Sequence, residues 1–596
     1  MKDFFKFFFA SILAILTLGL MTVCGIVAVG VAAGSSDDKA DIKIKNKTVL
    51  VFNMDTNITE ASQEDDPFAD LTSRFTGQGN SKSLSMTDII KGLDKAEKDE
   101  RISALYMKGN LSGAGPAALT EIRQALIRFK AKKPIYAFNV GWSKADLMLV
   151  AGATRLYLDP MGSIDVNGLA AEPMFYGDAF KKYGIDVQVT RVGKYKSAVE
   201  PFTTNRMSEP SREQTTKLLT DLWSEWKIAI GADRKIQPDQ IQTMADEKGF
   251  LFATEAKFMG MIDEIKEDNE VLNELKKLSG KKESDKTFNQ ISLQRYLKVD
   301  VDGAAPRSSK NRIAVVFAEG TIVDGNGSDG EIGGEYLSRE LRRLRLDSAV
   351  KAIVLRVNSP GGSAYASELI QRELVLVKKE KPVVVSMGYV AASGGYWIST
   401  YANRIFAQPN TITGSIGVFG LFPSVKGLAN SVGITWDEVK TANFAAIETT
   451  SRPKTPAELA RIQVAIDKIY EDFIQKVAEG RRLKPEFVQE IAQGRVWSGK
   501  EAIKLGLVDE LGGLGQAIDH AVLIAKLGND YQIDYPKPAQ GVVEQILESL
   551  GGKDDPIGSG NMNALAQQIR NQFNWFNTLN DPNGIYARMP YDLNIK

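Results

Sequence analysis

The sequence repeats one pattern after an interval of 249 residues, and this duplication limits the possible folds more than any other feature of the chain. Three pairs of matching positions are separated by that interval: Arg155 and Arg404, Pro160 and Pro409, and Gly184 and Gly433. A chain of 596 residues is also too long for a single hydrophobic core. We therefore expect two tandem domains that share one fold.

Each copy alternates short apolar runs with segments of helical periodicity. In the second copy, residues 352–357 and 383–387 are β-branched runs typical of buried strands, and residues 364–378 between them have helical spacing. The runs that open the two copies, residues 48–52 and 312–317, have the same strand character. Strands that alternate with helices indicate an α/β fold with largely parallel strand pairing.

The expected organisation has five segments. They are a membrane anchor with a short stalk (1–45), a first domain (46–266), a linker (267–311), a second domain (312–535) and a C-terminal tail (536–596). The linker is predicted from its polar composition, with one weak helix before it becomes irregular. Residues 59–83 are polar and rich in Gly and Asp, which predicts a mobile loop inside the first domain.

The N-terminal segment has the length of a membrane-spanning helix. Residues 7–34 contain no charged side chain, and about 20 apolar residues suffice to cross the hydrocarbon core. Lys2 and Lys6 precede the segment, so the positive-inside rule places the N-terminus in the cytoplasm. We therefore expect a single-pass protein of the inner (cytoplasmic) membrane with both domains on the extracytoplasmic, periplasmic side. The alternative is a signal peptide that is cleaved near residues 31–34.

The scarcity of cysteine and histidine restricts the possible chemistry. The chain has one Cys and one His, which excludes a disulfide framework and any zinc site of the multi-Cys or multi-His type. The single histidine, His520, lies in a segment of helical character, so a histidine base is not expected. Basic and acidic residues number 74 each, a balance that is unlike that of nucleic-acid-binding proteins. We expect no metal, no organic cofactor and no nucleic-acid partner.

Two glycine-rich turns in the second copy have the character of an acyl-transfer site. The turn at residues 358–363 contains Pro360, Gly361 and Gly362 directly after a predicted strand, which would leave backbone N–H groups free to bind an oxyanion. The second turn places Ser393 before two glycines at a strand-to-helix junction, where a hydroxyl can be exposed. The alternatives are an ordinary tight turn for the first motif and a helix N-cap for the second.

A lysine could supply the base that histidine does not. Lys196 lies among Tyr195, Val199 and Phe202, whose side chains could bury the amine and lower its pKa from about 10.4 toward neutrality. Lys194 is two residues away and projects from the same face if this stretch is extended. The residues alone therefore leave the choice between Lys194 and Lys196 open.

The two copies lack complementary parts of such a site. The position 249 residues before Ser393 is occupied by Lys144, so the Ser-Gly-Gly motif is missing from the first copy. The position 249 residues after Lys196 is Ala445, so the lysine is missing from the second copy. This pattern predicts one composite site, to which each copy contributes one half.

The combined motifs resemble those of the signal peptide peptidase A (SppA) family in its long, tandem-duplicated bacterial form. The matching stretches cover most of the chain: residues 193–202, 358–362, 391–396, 413–418, 494–499 and 505–509. The resemblance implies two crotonase/ClpP-like domains, assembly into a homotetramer and the degradation of signal peptide remnants. Such substrates are short, apolar or unfolded peptides.

The resemblance also assigns roles to individual residues. It implies that Ser393 is the nucleophile and that Lys196, rather than Lys194, is the general base. It further implies that backbone N–H groups of Gly361, Gly362 and Gly394 form the oxyanion hole, and that Ser415 hydrogen-bonds the lysine. The corresponding turn of the first copy, residues 109–113, departs from the Pro-Gly-Gly pattern.

Two other functions fit parts of this pattern. An acyl-thioester enzyme of the crotonase type would share the fold and the oxyanion site, but it needs neither Lys196 nor a membrane anchor. A non-catalytic membrane scaffold would explain the duplication, but not the complementary loss of Ser393 and Lys196. The sequence therefore favours a membrane-anchored serine endopeptidase.

Overall fold

The computed structural model describes residues 44–61, 83–299 and 309–536 without residues 112 and 329, together with residues 17, 580–581 and 584–589. Apart from residue 17, the predicted anchor at 7–34 lies outside the described residues, as do most of the predicted loop at 59–83 and most of the C-terminal tail. Within the part of the chain that is described, no helix combines the length and the apolar character needed to cross a membrane.

The first domain is built on a mostly parallel sheet. Its elements in chain order are β1 (Thr48–Asn53), β2 (Ile58–Thr59), β3 (Leu84–Ser85), α1 (Met86–Lys98), β4 (Ile102–Lys108), α2 (Pro116–Lys130), β5 (Ile135–Trp142), α3 (Lys144–Val150), β6 (Arg155–Asp165), α4 (Gly177–Lys182), β7 (Asp186–Arg191), α5 (Glu200–Thr203), α6 (Glu209–Arg234), α7 (Pro238–Glu247), β8 (Phe250–Phe252), α8 (Ala253–Phe258), β9 (Glu264–Ile265), α9 (Asp268–Leu278), β10 (Gln290–Ser292) and α10 (Leu293–Leu297). The strand order is β10-β1-β4-β5-β6-β8, with β9 also beside β6 and β8 antiparallel to it.

The second domain repeats this plan. Its elements are β11 (Arg312–Glu319), β12 (Thr321–Val323), β13 (Glu331–Gly333), α11 (Gly334–Leu346), β14 (Val350–Ser359), β15 (Gly361–Ser363), α12 (Ala364–Glu380), β16 (Val383–Ala392), α13 (Gly394–Ser399), β17 (Arg404–Ala407), β18 (Ile412–Gly414), β19 (Phe419–Ser424), α14 (Lys426–Ser431), α15 (Pro456–Arg481), α16 (Pro485–Ile491), β20 (Val496–Ser498), α17 (Gly499–Lys504), β21 (Glu510–Leu511), α18 (Leu514–Ile524) and β22 (Gln532–Asp534), with β23 (Ile585–Arg588) near the C-terminus. Its main sheet has the order β20-β18-β16-β14-β11-β22, and β17 lies between β16 and β21. The prediction of two tandem α/β domains is confirmed.

The central strands are continuous apolar runs because helices cover both faces of the parallel sheets. In β14, Ile353, Val354 and Leu355 have no exposed surface. One apolar cluster extends from the first domain into the second, where Val315 and Val354 join it together with helix α18. The two domains therefore share part of their core, and the position of one is fixed relative to the other.

Much of the predicted linker belongs to the first domain. Helix α9 buries Val271 and Leu275 against the outer face of the sheet, next to Tyr106. Strand β10 then pairs in parallel with β1 at the sheet edge. The sequence of residues 267–297 is polar because only one face of the helix and alternate residues of the strand are buried. Its composition therefore did not indicate that this segment packs on the first domain.

A further sheet, separate from the main sheets of the two domains, joins the two copies of the chain. Its order is β13-β12-β15-β23-β19-β7, so that β7 of the first copy pairs antiparallel with β19 of the second. Six successive residue pairs, from Arg191 with Phe419 to Asp186 with Ser424, form this ladder. The segment that follows β7 is thereby carried into the second domain, where the candidate site lies.

A buried arginine also links the domains. Arg356 of strand β14 has no exposed surface, and its guanidinium lies 2.8 Å from carboxylate oxygens of both Glu60 and Glu121 of the first domain. It also donates a hydrogen bond of 2.8 Å to Ser386 Oγ. The two carboxylates hold the pKa of Arg356 above its ordinary value despite burial, which would lower it. Arg356 is therefore a charged contact across the domain boundary.

Candidate active site

Ser393 lies in the sharp turn between β16 and α13. Its backbone adopts φ 55° and ψ −110°, which is unusual for a residue with a Cβ. The Ser393 N–H donates to Gly414 O at 2.8 Å, and this bond to strand β18 holds the turn. Gly395 is required here, because a Cβ at that position would lie 2.6 Å from Ser359 O. Strained backbone of this kind is concentrated at functional sites.

Lys196 lies between strand β7 and a short 3₁₀ turn at Ser197–Val199, and it has no exposed surface. Its Nζ lies 2.8 Å from Ser393 Oγ, 3.0 Å from Ser415 Oγ and 3.0 Å from Ser415 O. All three neighbours are uncharged oxygen atoms. A neutral amine has two N–H groups and one lone pair, which match two acceptors on Ser415 and one hydroxyl donor on Ser393.

Burial lowers the pKa of Lys196 well below its ordinary value of 10.5. Desolvation disfavours the ammonium form, and none of the oxygens around Nζ carries a charge that would restore it. Lys194, in contrast, is exposed and lies over the face of the Tyr195 ring. Of the two lysines between which the residue pattern left the choice open, Lys196 is the buried one and the one whose Nζ lies 2.8 Å from Ser393 Oγ.

Ser415 is held rigidly beside the amine. It follows β18 with φ 51°, and its N–H donates to Arg495 O at 2.7 Å. This places both oxygens of Ser415 toward Lys196. The Arg495 guanidinium is stacked between the rings of Tyr195 and Trp497, at 4.7 and 4.6 Å from their centroids. The backbone around Ser415 is therefore fixed from outside the site.

The predicted oxyanion glycines approach one another closely. A Cβ on Gly361, which has φ 95°, would lie 2.6 Å from Gly394 N. The N–H of Gly361 already donates to Ser359 Oγ at 3.1 Å. Gly362 lies next in strand β15, where it pairs with Ile322 of β12. Of the three predicted donors, Gly394 is the one that directly follows Ser393 in the chain.

Comparison with known proteins finds matches over most of the chain. The family model "Peptidase family S49" matches residues 127–282 and 375–527, one segment in each copy. The chain is 32% identical to "Protease 4" of Haemophilus influenzae over 94% of its own length and 93% of that protein. It is 37% identical to "Protease 4" of Salmonella typhi over 78% and 76% of the two chains.

The chain belongs to peptidase family S49. A plant relative, "Serine protease SPPA, chloroplastic" of Arabidopsis thaliana, is 31% identical over 75% of this chain and 66% of its own. The resemblance to the SppA family is therefore confirmed, and the protein is an S49 peptidase with two tandem domains.

The first copy of this S49 peptidase has no serine at the position that corresponds to Ser393. Lys144, at the position that corresponds to Ser393, is the first residue of helix α3, and α3 corresponds to helix α13 of the second copy. The turn at residues 109–113 is filled by a carboxylate, since Leu111 N–H donates to Asp146 Oδ1 at 2.7 Å. Asn110 Nδ2 donates to the other oxygen of Asp146 at 2.8 Å. The Leu111 N–H and the Asn110 side-chain amide are therefore both already hydrogen-bonded to Asp146.

Sequence reasoning missed one residue that supports the S49 site. Gly494, with φ 76°, lies against the lysine, and a Cβ there would be 2.6 Å from Lys196 Cβ. The stretch from residue 494 to 499 was part of the family resemblance, but nothing in its pattern indicated a contact with a lysine almost 300 positions earlier in the chain.

His520 takes no part in the described site. It lies on helix α18, half-buried, with its ring 5.7 Å from that of Phe406. Among the described residues, no group of His, Cys, Asp and Glu side chains is arranged to hold a metal ion. The side chains that contact Lys196 Nζ offer nucleophilic and proton-transfer chemistry instead.

Proposed function

We propose that this S49 peptidase is a serine endopeptidase with a Ser/Lys dyad, in which Ser393 is the nucleophile and Lys196 the general base. The observation that carries the proposal is the 2.8 Å contact between Ser393 Oγ and a fully buried Lys196 Nζ. An amine with a lowered pKa can be neutral near physiological pH and can accept the proton of the attacking hydroxyl.

The mechanism follows from the positions of these groups. Lys196 Nζ takes the proton of Ser393 as Oγ attacks a peptide carbonyl carbon, and backbone N–H groups, among them that of Gly394, stabilise the resulting oxyanion. The Lys196 ammonium then protonates the leaving amine as the C–N bond breaks. Water, deprotonated by the same amine, releases the acyl group and restores Ser393. Ser415 orients the amine through its two oxygens.

The cellular setting of the proposal rests on sequence. The uncharged run at residues 7–34 supports a membrane anchor, with both domains on the periplasmic side of the inner membrane. The resemblance to the SppA family supports crotonase/ClpP-like domains, a homotetramer and the degradation of cleaved signal peptides and other short or unfolded peptides. Such substrates would bind as extended strands in the active-site cleft.

A serine-reactive fluorophosphonate tests the proposed nucleophile. We expect stoichiometric labelling of Ser393, located by mass spectrometry of proteolytic fragments, since a general base activates the hydroxyl. Ser393→Ala should remain unlabelled, whereas Ser415→Ala should be labelled at Ser393 more slowly. Labelling of a different serine, or no labelling in a folded and active peptidase, would contradict the assignment of Ser393. No labelling in a folded protein that cleaves no peptide would favour the acyl-thioester or scaffold alternatives.

The pH dependence of peptide cleavage tests the proposed base. Because burial lowers the pKa of Lys196, the reactive neutral amine forms as pH rises through that lowered pKa. We expect kcat/KM for a chromogenic peptide to rise with pH and to reach a plateau well below pH 10.5. Lys194→Met, which alters only an exposed lysine, should show the same profile. A rise that begins only near the ordinary pKa of lysine would exclude Lys196 as the base.

A further inference from the structure

Lys196 is the central residue of a tight three-residue turn. Its backbone has φ −77° and ψ 74°, close to the values of an inverse γ-turn. The Ser197 N–H donates to Tyr195 O at 2.9 Å and closes the turn. A turn of this kind has one defining hydrogen bond, whereas a helix has a continuous ladder of them. The position of the Lys196 side chain therefore depends on contacts from outside the turn.

Gln214, on helix α6, supplies such contacts on both sides of Lys196. Its Nε2 donates to Tyr195 O at 2.8 Å and to Ser197 Oγ at 3.1 Å. A side-chain amide nitrogen has two N–H groups, and both are used here. Tyr195 O is also the oxygen that closes the turn, so Gln214 and the Ser197 N–H share one acceptor. One side chain thus holds both chain neighbours of the lysine.

The oxygen of the same amide is bound to the second domain. The Val496 N–H of strand β20 donates to Gln214 Oε1 at 3.2 Å. In the ladder between β18 and β20, Val496 is opposite Gly414, which directly precedes Ser415. Gln214 therefore connects the turn that carries the amine to the strands that hold Ser415, a hydrogen-bond partner of that amine.

Gln214 is held in place by the docking of helix α6 on the second domain. Its side chain is buried, and its three hydrogen bonds are buried with it. Leu218 and Leu222, which follow it on the same helix, lie in one apolar cluster with Ile412 of β18. Loss of a partner is costly for a buried polar group. The amide, the lysine turn and strand β20 therefore keep one mutual arrangement.

The charged groups beside the turn are paired with one another. Arg191 donates to Lys196 O at 3.3 Å and lies 3.7 Å from the carboxylate of Glu200. Arg495 lies 3.1 Å from the carboxylate of Glu213. The pKa of Lys196 is lowered by burial, and not by these charges. A substitution of Gln214 leaves both pairs in place, so a change in the titration of Lys196 would report a change in the burial of its amine.

The second copy lacks this amide as well as the lysine. Helix α15 corresponds to α6, since both contain 26 residues and both end at a residue in the left-handed conformation. This alignment places Arg461 at the position of Gln214, and Arg461 is exposed. Ala445 is at the position of Lys196. The copy that has the lysine also has the glutamine, and the other copy has neither.

We propose that Gln214 is a positioning residue for the reaction, which holds the Lys196 turn so that Nζ stays within 2.8 Å of Ser393 Oγ. The inference rests on the proposed function, since it takes Lys196 as the general base. Gln214 acts through the lysine, because its hydrogen bonds go to the two neighbours of Lys196 and to β20. A misplacement of about 1 Å in such a site can cost about 10²-fold in rate.

Gln214→Met in the full-length chain tests this inference, because methionine keeps the length of the side chain and suits a helix but forms none of the three hydrogen bonds. We expect kcat for a chromogenic peptide to fall about 10- to 100-fold, with KM within about twofold of the wild-type value. The pH at which kcat/KM reaches half of its plateau should rise by at least about one pH unit. A less buried amine has a pKa closer to the ordinary value of lysine.

Gln371→Met is the matched control for the loss of a buried amide. Gln371 of helix α12 is 1% exposed, and its Nε2 also donates to one carbonyl and one hydroxyl. These are Trp397 O at 2.8 Å and Thr400 Oγ1 at 2.7 Å, at the end of helix α13. Urea unfolding should show a similar loss of stability in the two variants. Gln371→Met should nevertheless keep the pH profile of the wild type, since its hydrogen bonds do not involve the lysine turn.

A milder variant, Ser197→Ala, removes one of the two acceptors of Gln214 Nε2. It should move the pH profile in the same direction to a smaller extent. Because both residues act through one contact, the double variant should have a kcat within about twofold of that of Gln214→Met.

The pH profile decides the outcome. An unchanged profile in Gln214→Met, or in Ser197→Ala if Gln214→Met does not fold, would overturn the inference and would make Gln214 a structural residue. Lys196→Met tests the proposed function separately. An inactive Lys196→Met together with an unchanged profile in Gln214→Met would overturn the role of Gln214 alone, whereas an active Lys196→Met would overturn both.

Discussion

Lys196→Met should lower kcat/KM for peptide cleavage by at least about 10⁴-fold, the size of loss seen when a base or nucleophile is removed from serine hydrolases. The methionine side chain is about as long as that of lysine and is apolar, so it fits a buried position, but it cannot accept the proton of Ser393. Ser393→Ala should cause a loss of the same order. Because the two residues act as a unit, the double variant should be no worse than either single one.

The matched control is Lys194→Met, which removes a lysine two residues away that is exposed and does not contact Ser393. It should retain activity within about twofold. Lys196→Met activity close to that of the wild type, in a protein whose far-UV circular dichroism is unchanged, would contradict the assignment of the base. The comparison separates loss of the buried amine from loss of positive charge near the site.

Lys196→Met should also change the stability of the fold in a definite direction. The pKa of Lys196 is lower in the folded chain than in the unfolded chain, so the unfolded chain binds more protons between the two pKa values. The lysine therefore destabilises the fold at neutral pH, and this cost decreases as pH rises toward 10.5. Urea unfolding should show Lys196→Met to be more stable than the wild type at pH 7, with a smaller difference at pH 10.

Arg356→Met should produce the largest loss of stability, about 3–5 kcal/mol in the free energy of unfolding. The substitution leaves the carboxylates of Glu60 and Glu121 buried without their cation, and removal of one partner from a buried ion pair has a cost of this size. Arg372→Met is the control, since Arg372 pairs with Glu368 on the surface with its side chain 72% exposed. That change should stay within about 0.5 kcal/mol.

The defect of Arg356→Met should depend on pH. Burial raises the pKa of Glu121, and Arg356 opposes that rise. The pKa of Glu121 is already above its ordinary value in the wild type, and without the arginine it rises further. The stability of the variant therefore falls more than that of the wild type as pH rises above the ordinary pKa of glutamate. The difference from the wild type should therefore be smaller at pH 5 than at pH 7.5. An equal defect at both pH values would show that lost packing, not charge, is responsible.

Much of the fold and of the site could be predicted from local sequence patterns. The strands around residues 352–357 and 383–387 were predicted from short β-branched runs next to turn residues, and the helix between them from its 3.6-residue periodicity. The 249-residue interval predicted that Ser393 and Lys196 are complementary halves of one site. It reduced the search for a site to two short segments in different copies.

Features that depend on contacts between distant residues could not be predicted in this way. Burial of Lys196 depends on the pairing of β7 with β19 and on Gly494, which no periodicity reveals. Arg356 lies in a strand whose partners on the first domain are set by the docking of whole sheets. Strand β23 is a short run in the C-terminal tail, and it could not be predicted as a strand because it is defined by its pairing with β15 and β19.

The 197 positions between Lys196 and Ser393 have a consequence for biosynthesis. Domains of a growing polypeptide generally fold in order from the N-terminus. The amine of the proposed dyad is therefore synthesised long before the hydroxyl, and a nascent or truncated product that stops before residue 393 lacks the proposed nucleophile. Under the proposed mechanism, proteolytic capacity then arises only when both copies have been made and have joined.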